Sequence, residues 1–178
     1  GKAGPQFTRA SISKDGLNFS ADSELLTNPY LRAFQWNGIH YSIAMPGVFY
    51  RSEDGLSNFE EGPTLFSENM RHAAVIVAGN VLQIFFTMAG DSPERIKLST
   101  VDLSVDWMHW TASDPIHVLS PELPWEGSEM PQVPSKRGLV DGPVNQLRDP
   151  AIYQEDGRTY LLYSVAGESG IAIAELTL

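Results

Sequence analysis

The sequence predicts an all-β protein made of repeated four-stranded units. Three segments read as a strand, a two-residue turn and a second strand, and their turns are Asn37-Gly38, Gly79-Asn80 and Asp156-Gly157. Such pairs supply the positive φ angles of tight hairpins. The flanking residues are rich in Val, Ile, Tyr and Phe, which favour strands. The 15 Gly and 12 Pro residues interrupt the chain, and no long window keeps an α-helical apolar period.

A second pattern is a repeated Asp-Gly turn followed by an aromatic residue. The sequences SKDGLNF (13–19) and SEDGLSNF (52–59) each place a Ser before Asp-Gly and a Phe after it, at a spacing of 39 residues. Residues 99–110 resemble a degraded third copy, with Trp107 or Trp110 as the aromatic anchor. Together the two patterns give four strands in roughly 40–50 residues, which is typical of a β-propeller blade. A β-sandwich of hairpins is the alternative.

The repeats divide the single predicted propeller domain (1–178) into blades. Residues 28–66 and 67–120 each form one blade, residues 148–178 supply three strands of another, and residues 6–27 supply a third and a fourth strand. About three blades cannot close a ring, since propellers typically use about 4–8. We therefore expect either upstream blades of a longer, five-bladed protein, which we favour, or a second copy of the chain that completes the ring as a homo-oligomer.

The segment 121–147 fits no blade because its five prolines prevent a regular strand or helix. Loops of this length in compact domains are usually functional or disordered. The segment carries Glu126 and Asp141 and leads directly into the triplet Arg148-Asp149-Pro150. Two interpretations stay open: an ordered lid over the central depression, and a plain linker between blades.

The starts of the predicted inner strands carry charged side chains. They include Arg32 in the first blade, Arg71 and His72 in the second, and Arg148 and Asp149 in the last. The inner strands of a propeller begin around one central cavity, so these residues are expected to converge. Guanidinium groups offer several donors and a carboxylate accepts from hydroxyls, so the cavity would suit polyhydroxylated or anionic ligands.

The stretch RDPAIYQEDGRTYLLYS (148–164) resembles the blade-opening segment of the five-bladed β-propeller glycosidases, the group that holds arabinanases, β-xylosidases, invertases and levansucrases. The two Asp-Gly turns also resemble the Asp-box turns of sialidases. The resemblance implies a sugar pocket in which Asp149 orients the sugar or tunes the pKa of the acid. It also implies a histidine near the acidic cluster, a position that His72 matches. A structural cap at Asp149 and a hydrogen-bonded strand start at His72 are the alternatives.

Glycoside hydrolysis needs two carboxyl groups at the glycosidic bond, and the full set cannot be assigned here. In the resembled enzymes the acidic Glu follows about one blade later, but only 14 residues follow Ser164. Glu126 and Asp141 are the remaining candidates, although neither matches a family position. The predicted function is a glycoside hydrolase-like propeller that acts on or binds a carbohydrate. The alternative is a non-catalytic sugar- or protein-binding assembly module, so activity as an enzyme stays open.

Composition excludes several other classes. The net charge of −10 opposes nucleic-acid binding, which needs clustered Lys and Arg. No apolar run approaches a membrane span, and the first 16 residues have no apolar core of a signal peptide. We therefore expect a soluble chain with no membrane partner, and we predict no compartment. No cofactor is predicted; a structural calcium ion would fit the many carboxylates, but no spaced ligand loop is present.

Overall fold

The computed structural model describes residues 6–177. In chain order its strands are β1 (Ser11–Ser13), β2 (Phe19–Ala21), β3 (Arg32–Trp36), β4 (Ile39–Ala44), β5 (Val48–Ser52), β6 (Glu60–Thr64), β7 (Met70–Ala78), β8 (Val81–Met88), β9 (Ile96–Asp102), β10 (Ile116–Leu119), β11 (Arg148–Glu155), β12 (Arg158–Val165) and β13 (Gly170–Leu176). Two short 3-10 helices, η1 (Trp107–His109) and η2 (Pro124–Glu126), lie in the connections on either side of β10. Within this part of the chain no helix has the length and apolar character needed to cross a bilayer.

The strands form antiparallel meanders, in which each strand pairs with the next one along the chain. The first sheet is β3-β4-β5-β6 and the second is β7-β8-β9-β10. The third sheet, β11-β12-β13, has three strands, and β1 pairs with β2 in a separate ribbon. The all-β class and the repeated four-stranded unit are therefore confirmed.

Each of the three main sheets opens with a hairpin whose turn has two residues. The pairs that close these turns are Trp36–Ile39, Ala78–Val81 and Glu155–Arg158. Positive φ angles occur in each turn, including 49° at Asn37 and at Asp156. Asn, Asp and Gly tolerate this region of φ better than other residues, which is why these hairpins are visible in the sequence.

The two Asp-Gly turns have the same hydrogen-bond pattern. Asp54 Oδ1 accepts from the backbone N–H groups two and three residues later, both at 2.8 Å, and Asp15 Oδ1 does the same at 2.9 and 2.8 Å. Hydrogen bonds to the ionised carboxylate hold the pKa of both groups well below its usual range. One turn joins β1 to β2, and the other joins β5 to β6. The N-terminal ribbon therefore has the same kind of turn as the last two strands of the first sheet.

The second sheet lies between the other two, and its apolar residues alternate between two cores. Leu82, Ile84 and Phe86 of β8 pack in one cluster with residues of the first sheet, such as Phe49. On the opposite face of β8, Phe85 packs in the cluster that includes residues of the third sheet. Successive strand residues point to opposite faces, so one strand supplies both cores. This stacking brings the inner strands β3, β7 and β11 side by side.

Candidate functional site

Three side chains meet where the inner strands begin. Tyr30, His72 and Asp149 each lie seven residues before the first residue of their hairpin turn. The ring centroids of Tyr30 and His72 are 4.2 Å apart, and Nδ1 of His72 contacts Oδ1 of Asp149. Equivalent positions relative to the three hairpin turns therefore form one continuous row of contacts.

Local backbone irregularity directs these side chains. The ladder of β7 shifts register between Met70 and Ala73, and that of β11 shifts between Arg148 and Ala151. Such a bulge bends a strand and changes the direction of a side chain. Asp149 has a φ of 50°, and its Oδ2 accepts a hydrogen bond of 3.1 Å from Ser164 Oγ on the neighbouring strand. The Asp149 carboxylate is thus held between a hydroxyl and an imidazole.

These residues line a cavity of about 710 Å³, a size typical of small-molecule sites. Strand starts supply part of its wall, the loops after β4 and β12 supply Met45 and Glu168, and the segment 121–147 supplies residues 137–139. The lining residues are Gln6, Pro29, Tyr30, Met45, Arg71, His72, Arg137, Gly138, Leu139, Asp149 and Glu168.

A buried ion-pair network includes two of the lining residues. Glu94 is fully buried, and its carboxylate lies 3.1 Å from Nη1 of Arg71 and 3.4 Å from Nε of Arg148. Arg148 is also fully buried and donates through Nη1 to Glu168 Oε1 at 2.9 Å. Charges that are out of water are stable only when they are paired and hydrogen-bonded. The network therefore fixes the orientations of Arg71 and Glu168.

The same arginines hold the Pro-rich segment. Arg148 donates to the backbone oxygen of Gly138 at 3.2 Å and to that of Lys136 at 3.5 Å. Arg71 also donates to the Lys136 oxygen, at 3.5 Å. Together with the lining positions 137–139, these contacts place this part of the Pro-rich segment, called the lid below, at the cavity wall. Its function as a lid stays a prediction.

The imidazole of His72 is buried near several arginines and also contacts the carboxylate of Asp149. Burial lowers the pKa of His72 to about 4, and nearby guanidinium groups act in the same direction. These groups belong to Arg71, Arg32, Arg148 and Arg137. His72 is therefore neutral near pH 7, and one of its ring nitrogens is a proton donor while the other is an acceptor.

The structure brings together only part of the site predicted from the sequence. Arg71, His72 and Asp149 line the cavity, and their role toward a ligand stays a prediction. Arg148 is fully buried and is not a lining residue, so the expected contact with a ligand is replaced by a structural role. It holds the backbone of the lid and the carboxylate of Glu168. Arg32 is half-buried beside the row and is not a lining residue.

Two candidate carboxylates lie outside the cavity. Glu126 is buried, and its Oε2 accepts from the backbone N–H groups of Glu122 and Leu123 at 2.9 and 3.0 Å. Its Oε1 accepts from the hydroxyl of Tyr163 at 2.9 Å. Asp141 is exposed on the lid and lines no part of the cavity. We therefore remove both from the candidate catalytic set. The Glu126 carboxylate is occupied by hydrogen bonds within the protein, and the Asp141 carboxylate faces solvent away from the cavity.

Sequence reasoning missed Tyr30, Glu94 and Glu168. Tyr30 was detectable, because counting seven residues back from each turn gives Tyr30, His72 and Asp149. Glu168 lies in the turn between β12 and β13, and turn position alone does not indicate that a residue faces a cavity. Glu94 follows Pro93 in an irregular connection, and no local pattern marks it as the partner of two arginines.

Comparisons with known proteins support the fold. No protein-family model matches the chain. The chain is 41% identical over 183 residues to the protein "Uncharacterized protein R118" of Acanthamoeba polyphaga mimivirus. The aligned region covers 93% of this chain and 51% of that protein. It is structurally similar to a thermostable family-43 glycoside hydrolase, with a TM-score of 0.63, 15% identity, and coverage of 96% of this chain and 62% of the other.

A second structural neighbour is the β-1,2-mannobiose phosphorylase of Listeria innocua, solved with β-1,2-mannobiose. Its TM-score is 0.62 at 14% identity, with coverage of 97% of this chain and 49% of the phosphorylase. Both neighbours are five-bladed propellers of glycosidase type. The chain has their propeller fold. It spans about half to three-fifths of the length of the proteins that it matches, and the fold predicted from the RDP segment is confirmed.

Proposed function

We propose that this propeller binds a carbohydrate in the cavity and that Asp149 and Glu168 act on it. The observation that carries the proposal is the row Tyr30–His72–Asp149, in which side chains at or just before three inner strands meet at the cavity wall. Such a row presents an aromatic face, a neutral imidazole and a carboxylate. These groups suit a sugar, which has apolar C–H faces and many hydroxyl groups.

The proposed chemistry is hydrolysis of a glycosidic bond. This reaction uses one carboxyl group to protonate the leaving oxygen and a second to activate water or to attack the anomeric carbon. In residues 6–177, the carboxylates that line the cavity are those of Asp149 and Glu168. We propose Asp149 as one member of the pair and Glu168 as the other, and we assign no acid or base role within the pair.

The test is a screen of aryl glycosides with the wild type and with Asp149→Asn and Glu168→Gln. Each variant should lower kcat/KM by about 10²–10⁴-fold, because positioned acid–base groups contribute that much. Asp141→Asn is the matched control, because it makes the same chemical change at an exposed lid position outside the cavity. Full turnover by Asp149→Asn would contradict the catalytic assignment.

A second candidate function is a non-catalytic module that binds a sugar or a protein in the cavity. One observation favours it: both lining carboxylates already have protein partners. Asp149 contacts His72 and accepts from Ser164, and Glu168 accepts from Arg148. Isothermal titration calorimetry with oligosaccharides separates the two candidates, since binding without turnover of any aryl glycoside would support the module and exclude the hydrolase.

A further inference from the structure

The charge around the cavity is opposite in sign to that of the whole chain. The chain has a net charge of −10, but four guanidinium groups act on the His72 ring. Three carboxylates contact His72 or pair with these arginines, and they belong to Asp149, Glu94 and Glu168. This neighbourhood therefore has one more guanidinium group than carboxylate, whereas the whole chain is strongly acidic.

The four arginines differ in how they are neutralised. Arg71 and Arg148 pair with Glu94, and Arg148 also pairs with Glu168. Among the described residues no carboxylate lies within 4.0 Å of Arg32 or of Arg137. Of the four arginines, these two therefore lack a counter-charge from the described residues.

Arg32 is half-buried and donates to the backbone oxygen of Leu31 at 3.2 Å. Burial lowers the pKa of Arg32 because the charged form loses hydration. A partly desolvated cation without a counter-ion is unfavourable, and an anion in the adjoining cavity would offset part of that cost.

Arg137 is the accessible member of the pair. It lines the cavity from the lid, with Nη2 donating to the backbone oxygen of Met70 at 3.4 Å and Nη1 lying 3.4 Å from Sδ of Met45. The backbone on both sides of Arg137 is held, because Lys136 and Gly138 accept hydrogen bonds from buried arginines. A guanidinium group has five N–H donors, so donors of Arg137 remain for a ligand.

We propose that the ligand of the cavity is an anionic carbohydrate whose carboxylate or phosphate group is bound by Arg137. This proposal rests on the carbohydrate-binding role proposed above. Planar guanidinium groups bind carboxylate and phosphate with two parallel hydrogen bonds. With the anionic group on Arg137, the sugar ring lies toward the row Tyr30–His72–Asp149 that lines the same cavity.

The test uses calorimetric titration of the whole chain with three probes. They are methyl β-glucuronide, glucose 6-phosphate and the neutral methyl β-glucoside. The wild type should bind at least one anionic probe about 10-fold or more tighter than the neutral probe, since hydrogen bonds between two charged groups are stronger than those to a neutral hydroxyl. A preference for the first or the second probe identifies carboxylate or phosphate as the group.

Arg137→Gln should abolish the preference for the anionic probe, with a smaller loss for the neutral one. Arg158→Gln, an exposed position on β12, is the matched control and should keep the preference. Equal affinity for neutral and anionic sugars, or an Arg137→Gln variant that keeps the preference, would overturn this inference and leave the proposed function intact. Failure of the wild type to bind any of the three probes would overturn the carbohydrate assignment in both proposals.

Discussion

The same position relative to the hairpin turn holds a different residue type in each of the three repeats. The position seven residues before the hairpin turn holds Tyr30, His72 and Asp149 in turn, so the repeated backbone delivers an aromatic ring, an imidazole and a carboxylate to one place. The contacts between them join residues that are far apart in the chain. At this scale the bulges and the φ of 50° at Asp149 decide where the side chains point.

We expect His72 to stay neutral in the folded protein well below the pH at which a free histidine gains its proton. Its folded-state pKa is about 4, below the ordinary value of 6.5, so the unfolded state takes up the proton first as the pH falls. The stability that depends on neutral His72 is therefore complete above about pH 6.5 and is lost as the pH falls toward about 4.

Histidine-selective ¹H–¹⁵N NMR checks the first expectation, with His72→Gln to assign the signal. Urea midpoints at pH 7 and pH 5 check the second: the midpoint should fall more in the wild type than in His72→Gln. The exposed His117→Gln is the matched control. A His72 ring that is protonated at pH 6 would contradict the assigned direction of the pKa shift.

At the scale of elements, the sequence patterns predict best where structure is local. The two-residue turns and the Asp-Gly turns could be located because each is specified by neighbouring residues. The packing of η1 could not be predicted, because it depends on β6, which is distant in the sequence. Trp107 lies against Gly62 of β6 and beneath the guanidinium group of Arg51, whose Cζ is 4.5 Å from the ring centroid. No pattern in residues 60–64 indicates this contact.

We predict that Gly62→Ala destabilises the protein through overpacking. An added Cβ would lie 2.2 Å from Cζ3 of Trp107, and Trp107 is too buried to move freely. Forcing an extra methyl group into a packed core typically costs about 1–3 kcal/mol. Denaturant unfolding measures this change. Gly170→Ala is the matched control, since its Cβ would lie 3.4 Å from the nearest atom; an equal loss in both variants would remove the packing explanation.

At the scale of the whole molecule, the repeats predicted the propeller, and buried charges connect its parts. Glu94 lies between β8 and β9 of the second sheet, and Arg148 begins β11 of the third sheet. Their contact at 3.4 Å crosses from one sheet to the next. The position of Arg148 at a predicted inner-strand start indicated a ligand contact, but its complete burial gives it a structural position. Burial of this kind depends on the assembled fold and leaves no local pattern in the sequence.

The network gives a last prediction, in which two glutamates are compared. Glu94→Gln should destabilise the protein by about 3–5 kcal/mol, because removal of one partner of a buried pair leaves the other charge uncompensated. Glu60→Gln breaks the exposed pair with Arg51, at 2.8 Å, and should cost at most about 1 kcal/mol. Urea unfolding at pH 7 gives both values.

A second effect separates the network from simple loss of packing. Because Arg71 and Arg148 hold the backbone of the lid, Glu94→Gln should also increase amide hydrogen exchange in residues 136–138, and Glu60→Gln should not. A Glu94→Gln variant as stable as Glu60→Gln, with unchanged exchange in the lid, would mean that the buried charges neither join the two sheets nor order the wall of the cavity.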